Sequence, residues 1–161
     1  MLTHIRNNAK FLKLIFFILP ISVWAETFEN IFLDNMRNVH VMTQAGKDIQ
    51  LIDTNNAINP KLSPDGKTAA WLINFSQNAE ENLANELVIY RKGKKRSVQC
   101  EPLIRDYWFW KKGSYIAIDC GGTHFAGKEI LYNANTLKKI SEFNQLEVPM
   151  EKRPAWSNLS D

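Results

Sequence analysis

Past residue 30, short apolar or alternating runs are separated by clusters of turn-forming residues, and no stretch sustains a helical period. Residues 31–33 form a brief apolar run, followed by polar turn material at 34–38. The runs 39–43 and 48–52, joined across Gln44, Ala45, Gly46 and Lys47, predict a hairpin. Residues 55–60 read as punctuation, and 67–73 as a strand returning from a tight turn. After the polar segment 76–85, strands are expected at 86–90 and 96–100, turning at Lys92, Gly93 and Lys94. Runs at 104–110 and 115–119 flank a turn at Lys111, Lys112 and Gly113. A Gly-rich loop, 121–127, leads to strands at 129–132 and 137–143 around a turn at 133–136. The expected fold class is all-β with antiparallel hairpins over residues 26–143. Residues 144–161, with Pro149, Pro154 and Trp156, are expected to lie as an irregular tail across the surface.

The organising stretch is 62–71, L-S-P-D-G-K-T-A-A-W. Pro64 presets φ at the first corner of a turn, Asp65 suits the second, and Gly66 can take the positive φ that returns the chain. The order then repeats. Ser63-Pro64-Asp65-Gly66-Lys67-Thr68-Ala69-Ala70-Trp71 aligns with Trp110-Lys111-Lys112-Gly113-Ser114-Tyr115-Ile116-Ala117-Ile118, matching the turn glycine and one alanine. Glu86-Leu87-Val88-Ile89-Tyr90 likewise matches Glu129-Ile130-Leu131-Tyr132. The period is 43 to 47 residues, from 86 to 129 and from 63 to 110, and residues 39–52 are the remnant of an earlier copy.

A four-strand unit of this length, opened by S-P-D-G-K and followed by small, apolar and aromatic residues, resembles the β-propeller repeat of the TolB type. Related blades occur in the propellers of prolyl-oligopeptidase-like enzymes. The resemblance covers residues 60–143, and 31–52 more loosely. In that family the motif shapes a turn, so no functional residue is implied by it. Closed propellers have four to eight blades, whereas this chain has two to two and a half copies. The readings left open are an incomplete propeller as an open β-stack, a rearranged sandwich, or a ring of several chains as a homo-oligomer; the first two are favoured. The basic hairpin Arg91-Lys92-Gly93-Lys94-Lys95-Arg96 discourages edge-to-edge pairing.

Charge enters through the first residues. Arg6, Lys10 and Lys13 precede an apolar run at 14–23, and Val23 and Ala25 suit a cut before Glu26, so residues 1–25 have the layout of a secretory signal peptide. The chain has 20 Lys and Arg against 17 Asp and Glu. Three of those basic residues and none of the acidic ones lie in the leader, leaving 17 against 17. The basic balance therefore belongs to the export signal, and nucleic acid is not an expected partner. A periplasmic or secreted location is expected, with no membrane insertion once the leader is gone.

In an oxidising compartment Cys100 and Cys120 are a candidate disulfide, with two small buried thiols as the alternative. If 111–113 is a tight turn, Cys120 falls opposite Ile104, four residues from Cys100, so a bond needs a bend at Pro102.

Gly122-Thr123-His124-Phe125-Ala126-Gly127-Lys128 matches a phosphate-binding loop up to its last position, where Glu129 replaces the hydroxyl residue, and a strand follows instead of a helix. A connection between strands is the preferred reading. Met36, His40 and Met42 are soft ligands that would suit copper, against the simpler reading of an apolar strand face with a satisfied histidine. His124 has no nucleophile motif around it, and a hydrolase is the remote alternative. In Tyr107-Trp108-Phe109-Trp110 side chains alternate between faces, which suits core packing; the functional reading has Trp110 exposed at the turn, with Trp156 nearby, stacking on a sugar or a protein. The loops 76–85 and 121–128 follow equivalent strands and should emerge at the same end. These readings converge on an exported, non-enzymatic module that binds an envelope protein, with a small-ligand or glycan binder as the alternative. No catalytic, cofactor or metal residues are expected; the candidate surface is Trp110, His124, Phe125 and Trp156.

Overall fold

Eleven strands form among the described residues, 27–52, 55–78 and 81–157 of the computed structural model. The expected signal peptide at 1–25 lies outside them. β1 (Phe28–Leu33), β2 (Val39–Thr43) and β3 (Asp48–Gln50) make one antiparallel sheet. β4 (Ala57–Leu62), β5 (Thr68–Asn74), β6 (Ala84–Arg91) and β7 (Lys94–Gln99) make the second. β8 (Ile104–Trp110), β9 (Tyr115–Cys120), β10 (Lys128–Asn133) and β11 (Lys139–Asn144) make the third. Each sheet is a meander in chain order, and none closes into a barrel. The protein is all-β and open, as the spacing of its turns predicts.

The sheets stack because the middle one is apolar on both faces. Along β5, Ala69 and Trp71 point to the first sheet, while Ala70 and Leu72 point to the third. β6 divides in the same way, with Val88 and Tyr90 on one side and Leu87 and Ile89 on the other. That alternation is the period of two of any strand, here with both phases buried, which is why 68–74 reads as a nearly unbroken apolar run. Val39 and Val41 complete the first interface, and Tyr107, Ile116 and Ile118 the second.

One expectation fails at residues 55–60. Asn55 and Asn56 precede the strand, but β4 takes 57–60, with Pro60 inside it. β4 is an edge strand with a register shift between Ile58 and Lys61, so the missing N–H of Pro60 costs no ladder bond. Tyr107 of the third sheet exploits this irregularity: its hydroxyl lies 2.7 Å from the carbonyl oxygens of both Asn59 and Ala70.

The aligned repeat positions take equivalent places in successive sheets. Gly66 and Gly113 both have positive φ, 66° and 90°, in the turns that open β5 and β9, and Ala70 and Ala117 are both fully buried. Gly113 also lies so close to Ser63 that a Cβ would stand 2.7 Å from the serine Cβ. Cys100 and Cys120 are disulfide-bonded with Cα atoms 5.9 Å apart. Cys120 pairs with Ile104, and the chain bends back through Glu101 and Pro102 to bring Cys100 to it. The bond thus joins the end of the second sheet to the third.

The outer face of the third sheet is covered by the chain's own tail, which includes a turn of 3-10 helix at Met150–Lys152. Trp156 packs there with Ala117, Leu131, Trp108 and Phe143, and its carbonyl accepts a bond from the indole of Trp108 at 2.8 Å. Among the described residues no helix is long and apolar enough to cross a membrane.

Candidate functional site

The loops after β5 and β9 emerge at one end. β6 begins where β7 ends, since Glu86 pairs with Gln99, and Cys100 is bonded to Cys120 at the mouth of the Gly-rich loop. Beside that loop lies an open cleft of about 620 Å³, walled by the Cys120 end of β9, Pro102, Phe125, Phe143 and Leu146. Phe125 and Leu146 stand at its lip with 75% and 79% of their surface exposed. Exposed apolar side chains gathered at one place, as opposed to scattered singly, are the kind of surface that marks an interaction site.

The rim is acidic. Glu101, Glu142 and Glu147 stand beside Lys128, and Glu142 is paired with Lys139 at 3.0 Å. A hydrogen bond from Lys139 does most to hold the Glu142 carboxyl below its ordinary value; the charges of Lys139 and Lys128 act the same way, against some desolvation. Glu142 is therefore an anion at neutral pH.

A polar clamp fixes the loop. Arg105 is the extra residue where the β8–β9 register shifts between Ile104 and Asp106, and the bulge aims its guanidinium at the loop. It donates to the carbonyls of Phe125 at 3.0 Å and Gly122 at 3.4 Å, and to Asp119 and Gln145 at 2.5 and 2.6 Å. Gln145 accepts from the N–H of Gly127 at 3.0 Å and donates to Glu129 at 3.2 Å. Glu129, 1% exposed, lies 3.7 Å from Arg153, which also donates to the tail carbonyls of Val148 and Gln145. A second, smaller cleft of about 420 Å³ opens over this network. Its two arginines and two carboxylates neutralise one another. The arrangement is a brace for loop and tail, and it ties down the backbone carbonyl of Phe125.

Of the residues singled out in the sequence, Phe125 and His124 lie together in the exposed loop. Trp110 is elsewhere: it is half-buried at the opposite end of the third sheet, tilted on Tyr115 at 5.5 Å. Trp156 is 6% exposed and turned inward, so it offers no indole to a ligand. The four therefore do not form one surface. His40 is bracketed by carboxylates, with Nδ1 2.8 Å from Asp48 and Nε2 3.6 Å from Asp34, and is stacked on Phe32; Met36 points into solvent. Among the described residues, no group of three or more His, Cys, Asp or Glu side chains could hold a metal ion. The loop 121–127 runs straight into β10, without the helix start a phosphate cradle needs.

Arg105, Gln145 and Leu146 were not singled out in the sequence. Gln145 and Leu146 belong to the tail, and the signal for Arg105 is a charged pair, Arg105 and Asp106, at the start of a strand that ends in four aromatic residues. No protein-family model matches the chain, and no curated protein matches it either.

Proposed function

We propose that this protein is an exported, non-enzymatic interaction module of a bacterial envelope, built on TolB-like β-repeats, whose partner binds at the loop end. The observation that carries the reading is the exposed pair Phe125 and Leu146 at the lip of the 620 Å³ cleft, on a loop braced by Arg105 and Gln145. An apolar anchor beside a concave, partly polar surface is the usual composition of a protein-binding hot spot. The acidic rim of Glu101, Glu142 and Glu147 favours a partner segment that brings a basic side chain with its apolar ones. Export is supported by the leader and by a disulfide, which persists in oxidising compartments.

Affinity capture from envelope extract, with the wild type beside Phe125→Ser combined with Leu146→Ser, tests the reading. A protein recovered by the wild type and lost by the variant, with release favoured by salt, is the expected result. Equal recovery by both, or turnover on a broad hydrolase panel, overturns it. The cleft's volume, within the range of small-ligand sites, favours a second reading in which it holds a glycan or cell-wall fragment. Trp156, in contact with Phe143 of the cleft wall, should then change its fluorescence when such fragments are added.

A further inference from the structure

The connections between strands fall at two ends of the stack, and their charges are segregated. One end gathers the turns that follow β2, β4, β6, β8 and β10. Contacts knit them into one row: the N–H of Gln44 meets the carbonyl of Thr27, and that of Phe28 donates to Gly66 at 2.7 Å. Gly113 lies against Ser63, and the N–H of Ala134 donates to Ser114 at 3.0 Å. Every one of these turns carries an exposed lysine: Lys47, Lys67, Lys92, the pair Lys111 and Lys112, and Lys138. Their one carboxylate, Asp65, is taken up by Ser63 at 2.6 Å and by Arg91 at 3.7 Å. The described connections at the other end hold Asp34, Glu81 and Glu101 against Arg37, with Lys128 the one lysine beside them, at the start of β10.

The placement of the lysines is costly. Lys92, Lys111 and Lys112 have φ of 52°, 47° and 54°, the left-handed region where Gly, Asn or Asp is the economical choice. Beside them Trp110 and Tyr115 lie half-buried at the same end, with the Lys111 ammonium 4.4 Å over the indole. Neither of the two clefts includes any of these lysines. Hydrated point charges spread over a row of turns, with an amphipathic aromatic pair among them, suit a charged plane. A nucleic acid would call for a groove with arginine forks and stacking rings.

We propose that the lysine-bearing end docks on an anionic phospholipid surface, holding the loop end and its cleft away from the bilayer. The net charge past the leader is zero by residue count, so the attraction rests on segregation and not on overall charge.

Full-length protein is sedimented with vesicles of phosphatidylcholine alone and with vesicles containing about one third phosphatidylglycerol. The excess bound to the anionic vesicles is the readout, so any apolar contribution of residues 14–23 cancels, and the charges of Arg6, Lys10 and Lys13 are common to every variant compared. Lys111→Gln with Lys112→Gln is expected to reduce that excess by about ten- to thirtyfold. Arg37→Gln with Lys152→Gln, an equal charge change away from the turns, is expected to leave it within about twofold. The excess should also shrink as salt rises, and far-UV circular dichroism checks that each variant is folded. No anionic excess, or equal losses from the two pairs, overturns the proposal. So does lysine-dependent binding of inorganic polyphosphate or duplex DNA without vesicle binding, which would put a soluble polyanion in place of the membrane.

Discussion

Gly127 has no room for a side chain: a Cβ there would collide with the carbonyl oxygen of Cys120. Gly127→Ala must therefore push the loop away from the end of β9 and strain the bonds Gln145 makes to it. Urea denaturation should show a loss of about 1–3 kcal/mol, and limited proteolysis a new cut within 121–127. An unchanged midpoint with no new cut would refute the close approach. Asp34 acts through charge. The N–H of Asn38 does most to lower its carboxyl pKa, helped by the Asn38 side chain, the N–H of Met36 and His40, and partly opposed by desolvation. Its folded pKa lies below its unfolded one, so the stability it adds is fully present above the ordinary value of 3.8 and is lost as pH falls through the lower folded value. Stability curves measured from about pH 5 to about pH 2 should thus fall more steeply for the wild type than for Asp34→Asn. Parallel curves would show that the turn at 34–38 does not depend on that charge.

At the scale of elements, Tyr107 joins two sheets through one hydroxyl. Burial raises its pKa well above 10, so it stays a neutral donor between the carbonyls of Asn59 and Ala70. Tyr107→Phe keeps the ring and removes the one donor that the two carbonyls share, and equilibrium unfolding should show a cost of about 1–2 kcal/mol. A neutral result would mean water replaces the hydroxyl. The strands most legible in the sequence were those bounded by turns of specific chemistry: 39–43 and 104–110 match β2 and β8 residue for residue. β4 was not legible, because Pro60 and Asn59 signal a break locally, and only an edge position with a register shift, relieved by a side chain 48 residues away, turns them into strand. The candidate site divides similarly. Phe125 and His124 could be picked from a Gly-rich loop between strands, whereas Arg105 and Gln145 matter through a bulge and a 40-residue separation that no local pattern records.

At the scale of the whole molecule, what ends the stack matters as much as what builds it. In a closed ring the outer face of the third sheet would meet a further blade. Here Trp108, Trp110, Phe143 and Leu131 meet residues of the chain's own tail, with Trp156 at the centre and Arg153 over the Phe143 ring at 5.6 Å. At the opposite extreme, the outer face of the first sheet carries Phe32 and His40 capped by Asp34 and Asp48, which gives a second sheet little apolar surface to join. The three sheets are thereby closed off at both outer faces without forming a ring. Trp156→Ala removes the plug: it should cost about 2–4 kcal/mol and bare the tryptophan face that a further blade would cover. With residues 1–25 removed, light scattering should find the wild type monomeric and the variant self-associating, with raised binding of a hydrophobic dye. If the wild type itself forms a stable ring of several chains, the tail must swing aside to admit a neighbour, and Trp156 would then be quenched differently as concentration rises. A wild-type fluorescence spectrum that is constant across dilution, together with a monomer mass, would leave the tail as the terminator of the stack.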